Sequence, residues 1–292
     1  MRVAYFTAGS HGAGHLVRGL ALERALRRAG AAVEFRLFGP PSPFAHVAGG
    51  LHEAVPIDAA ELRVPERARA SALARALAAW APQLLVLDLF WVPLAFVPLP
   101  CPTWLLLRSV PPWWLVGPKE SRFDPARYER VFAIEPAPGL ERFEVLPPVV
   151  VANRDEARPR EALCALLDAD PARPLHLVAH AGLPSDAATL EALAPAAGAQ
   201  VRRVDLAQPG APFPLAPWLA GLGPEDVLVA APGYNTFWEA HWLGYAPRVR
   251  WVPIARTLDD AAWRAGSAPP AGWTENGADM LARRLVARLS GR

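Results

Sequence analysis

A chain of 292 residues has length for about two domains, and 52% hydrophobic with 20% charged residues excludes wholesale disorder. Thirty basic residues against 28 acidic ones, net +2, give no electrostatic case for nucleic acid or an anionic membrane as partner. Cys101 and Cys164 stand far apart without a metal-ligand spacing, which excludes a disulfide scaffold or cysteine-rich zinc site and makes a reducing cytoplasm the expected compartment.

In chain order, Val3 and Tyr5 lie in a short apolar run that predicts a first strand. The run is too short for an export signal. Gly9-Ser10-His11-Gly12-Ala13-Gly14 breaks it, and Leu16, Leu20 and Leu26 then fall on a helical register over 15–29. A strand is expected over 32–38. A helix is expected over 65–81, with Pro65 in its first turn and Pro82 as its stop. Strands are expected over 84–88, 103–108 and 130–134. The stretch 84–107 is apolar apart from Asp88 and long enough to cross a bilayer. Pro93, Pro98, Pro100 and Pro102 interrupt it, so two buried strands with a proline-rich connection are expected instead.

Pro147-Pro148 and Asn153-Arg154-Asp155-Glu156 read as an interdomain connection within 144–158. A second alternating series follows. Helices are expected over 160–167, 185–197, 234–243, 258–265 and 276–289, and strands over 175–180, 200–206, 227–230 and 248–252. Alternating strands and helices imply parallel sheets covered on both faces. The expected fold is therefore α/β, with two Rossmann-like doubly wound domains. They span 1–150 and 151–292, and the last helix (about 276–290) packs back toward the first domain.

Two segments have the residue types for chemistry. Pro232-Gly233-Tyr234-Asn235-Thr236-Phe237-Trp238-Glu239 joins a strand to a helix. Unpaired N–H groups and partial positive charge at a helix start suit phosphate oxygens. Glu239, one and a half turns on, can reach a polyol such as ribose. The same spacing also fits an ordinary turn, with Asn235 or Thr236 as cap and Glu239 solvated. The second segment, Gly9 to Arg18, fits neither the G-x-G-x-x-G nor the P-loop pattern. It presents His11 and His15 at the carboxyl end of the first strand, the usual ligand crevice of open α/β sheets. His15 there can serve as a general base or simply begin the helix.

Taken together, Gly12–Arg18 (G-x-G-H-x-x-R) and Gly233-Tyr234-Asn235-Thr236-x-x-Glu239 resemble the MurG-related GT-B glycosyltransferases. The stretch 159–182 is similar to the start of their second domain. The resemblance implies an N-terminal acceptor-binding domain facing, across a cleft, a C-terminal domain that binds a nucleotide-diphosphate sugar such as a UDP-sugar. It implies His15 as the base, Glu239 as the ribose carboxylate and Gly233, Tyr234, Asn235 and Thr236 at the diphosphate. Gly182, Arg256 and Asp259 complete the expected donor side. His11, Gly12, Gly14 and Arg18 form the expected acceptor-side loop. Two departures stand out: His180-Ala181-Gly182-Leu183 replaces a run of glycines, and Ala261-Ala262 follow Asp259-Asp260 where the family has an acid and glutamine.

Asp168-Ala169-Asp170 has the form of a metal-binding D-x-D, but its place before Pro171 reads as a connecting turn. No metal or other cofactor is therefore expected, and transfer is expected to invert configuration. Asp88 is expected either to orient His15, to hold an acceptor hydroxyl, or to cap its loop. Trp91, Trp104, Trp113 and Trp114 read as core, with Trp113 and Trp114 alternatively an exposed lip touching an aromatic acceptor or a membrane surface. An epimerase or hydrolase acting on the donor alone, and a non-catalytic nucleotide-sugar binder, are the competing readings.

Overall fold

The computed structural model describes residues 1–9, 12–116, 123–180, 184–193, 198–255, 258 and 261–291. In chain order the first half contains β1 (Arg2–Phe6), α1 (Gly14–Arg28), β2 (Glu34–Gly39), β3 (His52–Ala54), α2 (Ala59–Leu62), α3 (Pro65–Arg69) and α4 (Ala72–Trp80). It continues through β4 (Leu84–Asp88), β5 (Thr103–Leu107), α5 (Pro112–Val116), β6 (Arg130–Ala133) and β7 (Glu144–Val145). The second half runs α6 (Arg160–Leu166), β8 (Leu175–His180), α7 (Pro184–Ala192), β9 (Gln200–Asp205) and α8 (Ala216–Leu219). It ends β10 (Val227–Ala230), α9 (Tyr234–Leu243), β11 (Val249–Trp251), α10 (Ala261–Ala265) and α11 (Gly277–Leu289).

The chain divides into two compact units. The first comprises residues 1–10, 19–149 and 274–292, and the second comprises residues 11–18 and 150–273. The boundary thus cuts α1 after Arg18, so the whole G-x-G-H-x-x-R segment groups with the second unit.

The first unit is built on a parallel sheet of order β3-β2-β1-β4-β5-β6-β7. Its central strands are fully buried: every residue of β4 and β5 is covered, as strands flanked on both faces require. The apolar run 84–107 is therefore two paired strands, with Val86 beside Trp104 and Leu87 beside Leu105. Among the described residues no helix is long and apolar enough to cross a membrane.

The helix expected over 65–81 is instead two. Ser71 caps α4, accepting from the Ala74 N–H at 3.2 Å, and its own hydroxyl donates to the Ala68 carbonyl at 2.7 Å. A serine that serves both helices ends one and starts the next. Helix α2 was missed, although Asp58 caps it by accepting from Ala60 and Glu61 N–H groups. The short strands β3 and β7 were missed too; three and two residues at the sheet edges are too few to show a period of two. Helices α5 and α8 also went unread.

Helix α11 packs in the first unit. Asn276 caps it through the Ala278 N–H. Ion pairs join Arg28 to Asp279, Arg284 to Glu144 and Arg288 to Glu129. Such exposed pairs contribute little singly. The closer constraint is Gly277, where an added Cβ would fall 1.9 Å from the Pro147 carbonyl oxygen. Backbone cannot yield there as a side chain could, so only glycine fits.

The second unit has a four-stranded parallel sheet of order β11-β10-β8-β9. Leu175, Leu177, Leu228 and Ala230 pack on one face with Leu163 of α6, Leu219 of α8 and Ala240 of α9. Val178 and Val229 pack on the other with Leu190 of α7. Buried Asp226 pins the amino ends of this sheet. It takes a bidentate pair from Arg160 at 2.8 and 3.0 Å and accepts from the Leu175 and Gly223 N–H groups at 2.8 and 2.7 Å. Asp168 and Asp170 lie on a connecting turn, where Asp170 accepts from the Ala172 N–H at 2.8 Å.

Gly277→Ala is expected to destabilise the protein by about 2–4 kcal/mol, since overpacking against backbone leaves no cheap relaxation. Urea unfolding monitored by tryptophan fluorescence measures it; a change below 0.5 kcal/mol, the ~0.5 kcal/mol scale of surface substitutions, contradicts the close approach.

Candidate active site

Each sheet changes direction once, and ligands of open α/β sheets bind outside the carboxyl ends of the strands at that point. In the first unit the reversal lies between β1 and β4, whose Phe6 and Leu87 are paired. Asp88 ends β4 and is fully buried, its carbonyl accepting the Phe90 N–H at 2.7 Å. In the second unit the reversal lies between β8 and β10, with α7 and α9 on opposite faces.

Helix α9 starts there. Gly233 is its N-cap, with extended backbone (φ −62°, ψ 154°) and no capping side chain. A Cβ on Gly233 would meet nothing within 4 Å, so space is open beside the helix start. Asn235, a candidate cap in the sequence, is occupied elsewhere. Its Nδ2 donates to the Gly14 carbonyl at 2.9 Å, and its Oδ1 accepts from Arg18 Nη1 at 3.4 Å. Thr236 is half-buried in the first turn and does not cap it either.

Arg18 is the centre of this cluster. Buried in the second unit, its guanidinium lies 4.9 Å from the Tyr234 ring centroid and reaches His15 Nδ1 at 2.7 Å. A guanidinium only donates, so His15 Nδ1 accepts, and the neutral ring carries its proton on Nε2. Gly12, at φ 104°, takes a conformation that suits glycine and turns the chain into α1. The G-x-G-H-x-x-R segment and the start of α9, 217 positions apart at Arg18 and Asn235, are therefore one constellation of His15, Arg18, Gly14, Tyr234 and Asn235.

A second guanidinium went unread in the sequence. Arg264 of α10 is fully buried, donates to the Pro232 carbonyl at 2.9 Å and lies 5.9 Å from the Tyr234 ring. A lone arginine in an alanine-rich segment gives no periodic signal. With Arg18 it concentrates positive charge at a helix terminus already partially positive. His11, Gly182, Arg256 and Asp259, singled out in the sequence, lie outside the described residues.

Glu239 is not solvated: only 9% of it is exposed. Its carboxylate accepts from the Val151 N–H, while Oε1 is buried with no partner among the described residues, as are Tyr245 OH and Trp242 Nε1. Burial pushes the Glu239 carboxyl up from 4.5 to about 8, the Val151 hydrogen bond pulling weakly the other way. Burial also raises Tyr245, and the nearby Glu239 adds to it.

The aromatic residues divide. Trp91 and Trp104 are core. Trp114 stacks edge-on against Phe90 and Trp91 at 5.9 and 6.4 Å, whereas Trp113 is 55% exposed beside exposed Val116.

No family model matches the chain, and no curated protein sequence matches it. Solved structures do. The chain is similar to the glycosyltransferase SsfS6 of Streptomyces sp. SF2575 (TM-score 0.58, 17% identity, covering 100% of this chain and 96% of that one). That protein complexed with thymidine diphosphate also matches (TM-score 0.53, 15% identity, 100% and 86% covered). So does the spinosyn forosaminyltransferase SpnP (TM-score 0.53, 17% identity, 99% and 95% covered).

The raised Glu239 carboxyl has a stability consequence with a definite sign. Between about 4.5 and about 8 the folded chain keeps a proton that the unfolded chain releases. Stability from this group is complete below the lower value and lost as pH rises toward the upper one. Glu239→Gln removes the effect, so its melting temperature is expected to exceed wild type by on the order of 5 °C at pH 8 and to converge with it at pH 4.5. Calorimetric scans across that range check it; parallel curves would contradict it.

At these identities the likenesses establish architecture: the α/β fold with parallel sheets that this chain shares with GT-B glycosyltransferases.

Proposed function

We propose that the protein is a glycosyltransferase that moves a sugar from a nucleotide-diphosphate donor to a hydroxyl acceptor. The observation that carries this reading is the Arg18 bridge. It joins His15, the candidate base, to Asn235 at the uncapped start of α9. Open space at Gly233, first-turn N–H groups and two nearby guanidinium groups suit a diphosphate there. The buried Glu239 Oε1 lacks a donor among the described residues, and a ribose hydroxyl would supply one. The narrower MurG-related kinship rests on the two sequence motifs, and the fold likeness to enzymes such as SpnP is consistent with the broader class.

In the reaction, the acceptor hydroxyl loses its proton to the His15 imidazole while its oxygen bonds the anomeric carbon from the face opposite the donor phosphate. The anomeric carbon–oxygen bond to phosphate breaks, its electron pair leaves with the nucleoside diphosphate, and configuration inverts. Arg18 holds Nδ1 and leaves the ring proton on Nε2, so base action requires the guanidinium to release the ring when substrates assemble. The scheme needs no metal ion, since helix terminus and arginines supply the charge stabilisation.

The test is a panel of uridine, guanosine and thymidine diphosphates against thermal unfolding, followed by nucleoside diphosphate release from the matching donor sugar with and without acceptor alcohols. Acceptor-dependent release is expected. His15→Ala should then lower turnover at least tens-fold, general bases contributing typically about 10²–10⁴-fold, with nucleotide affinity nearly intact. Glu239→Ala should instead weaken nucleotide binding about ten-fold or more. Acceptor-free turnover would replace transfer by hydrolysis or epimerisation, and binding without turnover would leave a sugar-nucleotide receptor.

The membrane-contact reading rests on exposed Trp113 and Val116. Liposome co-sedimentation is expected to fall on Trp113→Ala; equal pelleting of variant and wild type removes it.

A further inference from the structure

Helix α9 ends at Gly244, which takes a left-handed conformation (φ 84°). The side chain that follows such a glycine commonly folds back over the preceding turn of the helix. Tyr245 does so: it is 2% exposed and packs in one buried cluster with Ala240, the residue next to Glu239. The end of α9 thus returns a phenol to the carboxyl singled out by the motif, near enough for charge on Glu239 to act on the hydroxyl.

Both groups are idle. Tyr245 OH and Glu239 Oε1 are buried with no hydrogen-bond partner among the described residues, although buried polar groups are nearly always paired. Phenylalanine would fill the same place without burying a hydroxyl, so the hydroxyl calls for a use other than packing. Trp242 Nε1 is idle as well. Its ring, however, lies against Arg154 and Trp273 at 4.0 and 5.0 Å, and an indole cannot turn its N–H toward an acceptor as a hydroxyl turns its proton.

We propose that Tyr245 is a positioning residue for nucleotide binding: its hydroxyl donates to Oε1 of Glu239 as the carboxyl turns to receive a sugar hydroxyl of the nucleotide. The inference rests on the reading of Glu239 as the ribose contact and goes beyond it by naming a residue outside both motifs. A carboxylate has lone pairs enough to accept from phenol and ligand at once. Donation from the phenol fixes the Glu239 side chain. It also supports the negative charge of a hydroxyl-binding carboxylate, against surroundings that favour the neutral form. Tyr245 acts through Glu239 and itself touches no part of the nucleotide.

The experiment is isothermal titration of uridine, guanosine and thymidine diphosphates, and of their dideoxy counterparts, which lack the sugar hydroxyls, into wild type and Tyr245→Phe. Wild type is expected to bind the parent nucleotide of its preferred base more tightly than the dideoxy form. Tyr245→Phe should lose about five-fold in affinity for the parent, the scale of one hydrogen bond, and bind the dideoxy form as wild type does within about two-fold. A merely structural role would weaken both alike. Unchanged parent affinity in a folded Tyr245→Phe, equal losses for the two forms, or a wild type that does not distinguish them overturns the positioning role and leaves the transfer reading intact. If the variant does not fold, fluorine NMR of wild type labelled at its four tyrosines with fluorotyrosine decides. A resonance that moves with the parent but not with the dideoxy form supports the role, and the lack of one overturns it; Tyr234, at the diphosphate end, should move with both. Wild type that binds none of these nucleotides overturns the reading and the role together.

Discussion

One guanidinium organises the candidate site. Arg18 donates to an imidazole nitrogen and an amide oxygen and lies over the Tyr234 ring, and these partners come from two segments far apart in the chain. A lysine could supply the charge but not the planar fork that makes these contacts at once. The amide of Asn235 completes the arrangement by donating to the Gly14 carbonyl. Because Asn235 is used in this way, α9 begins without a side-chain cap. The donor groups of its first turn are thereby not taken up by a capping side chain.

Charge is distributed in the second unit with the same economy. Arg18 and Arg264 flank Tyr234, on the side where backbone N–H groups already favour anions. Glu239 lies further along the same helix in apolar surroundings that favour its neutral form. Cations and carboxyl are thus held apart along one helix. An anion and a polyol joined in one ligand would match that order.

The elements with long apolar periods were legible in the sequence. β4, β5, β8 and β10, together with α1, α9 and α11, lie within a residue or two of their expected bounds, because buried strands and amphipathic helices leave repeated signals. What escaped depends on single polar contacts. Ser71 divides a helix whose alanine-rich composition reads as continuous. Glu239, open in the sequence between a ribose contact and a solvated residue, shows its burial only once its neighbours Val151 and Tyr245 are in place. The motifs announced His15 and Gly233, but the role of Asn235 could not be read from spacing. Its partners, Gly14 and Arg18, are neighbours in space alone.

Asp226 fastens the opposite end of the sheet from the candidate site. Its carboxylate gathers Arg160 and the N–H groups of Leu175 and Gly223 where β8 and β10 begin, whereas the crevice opens where those strands finish. Structural anchorage and the candidate site are consequently carried by different residues. Change at the crevice end can therefore leave the scaffold intact, whereas loss of the Asp226 carboxylate would loosen it.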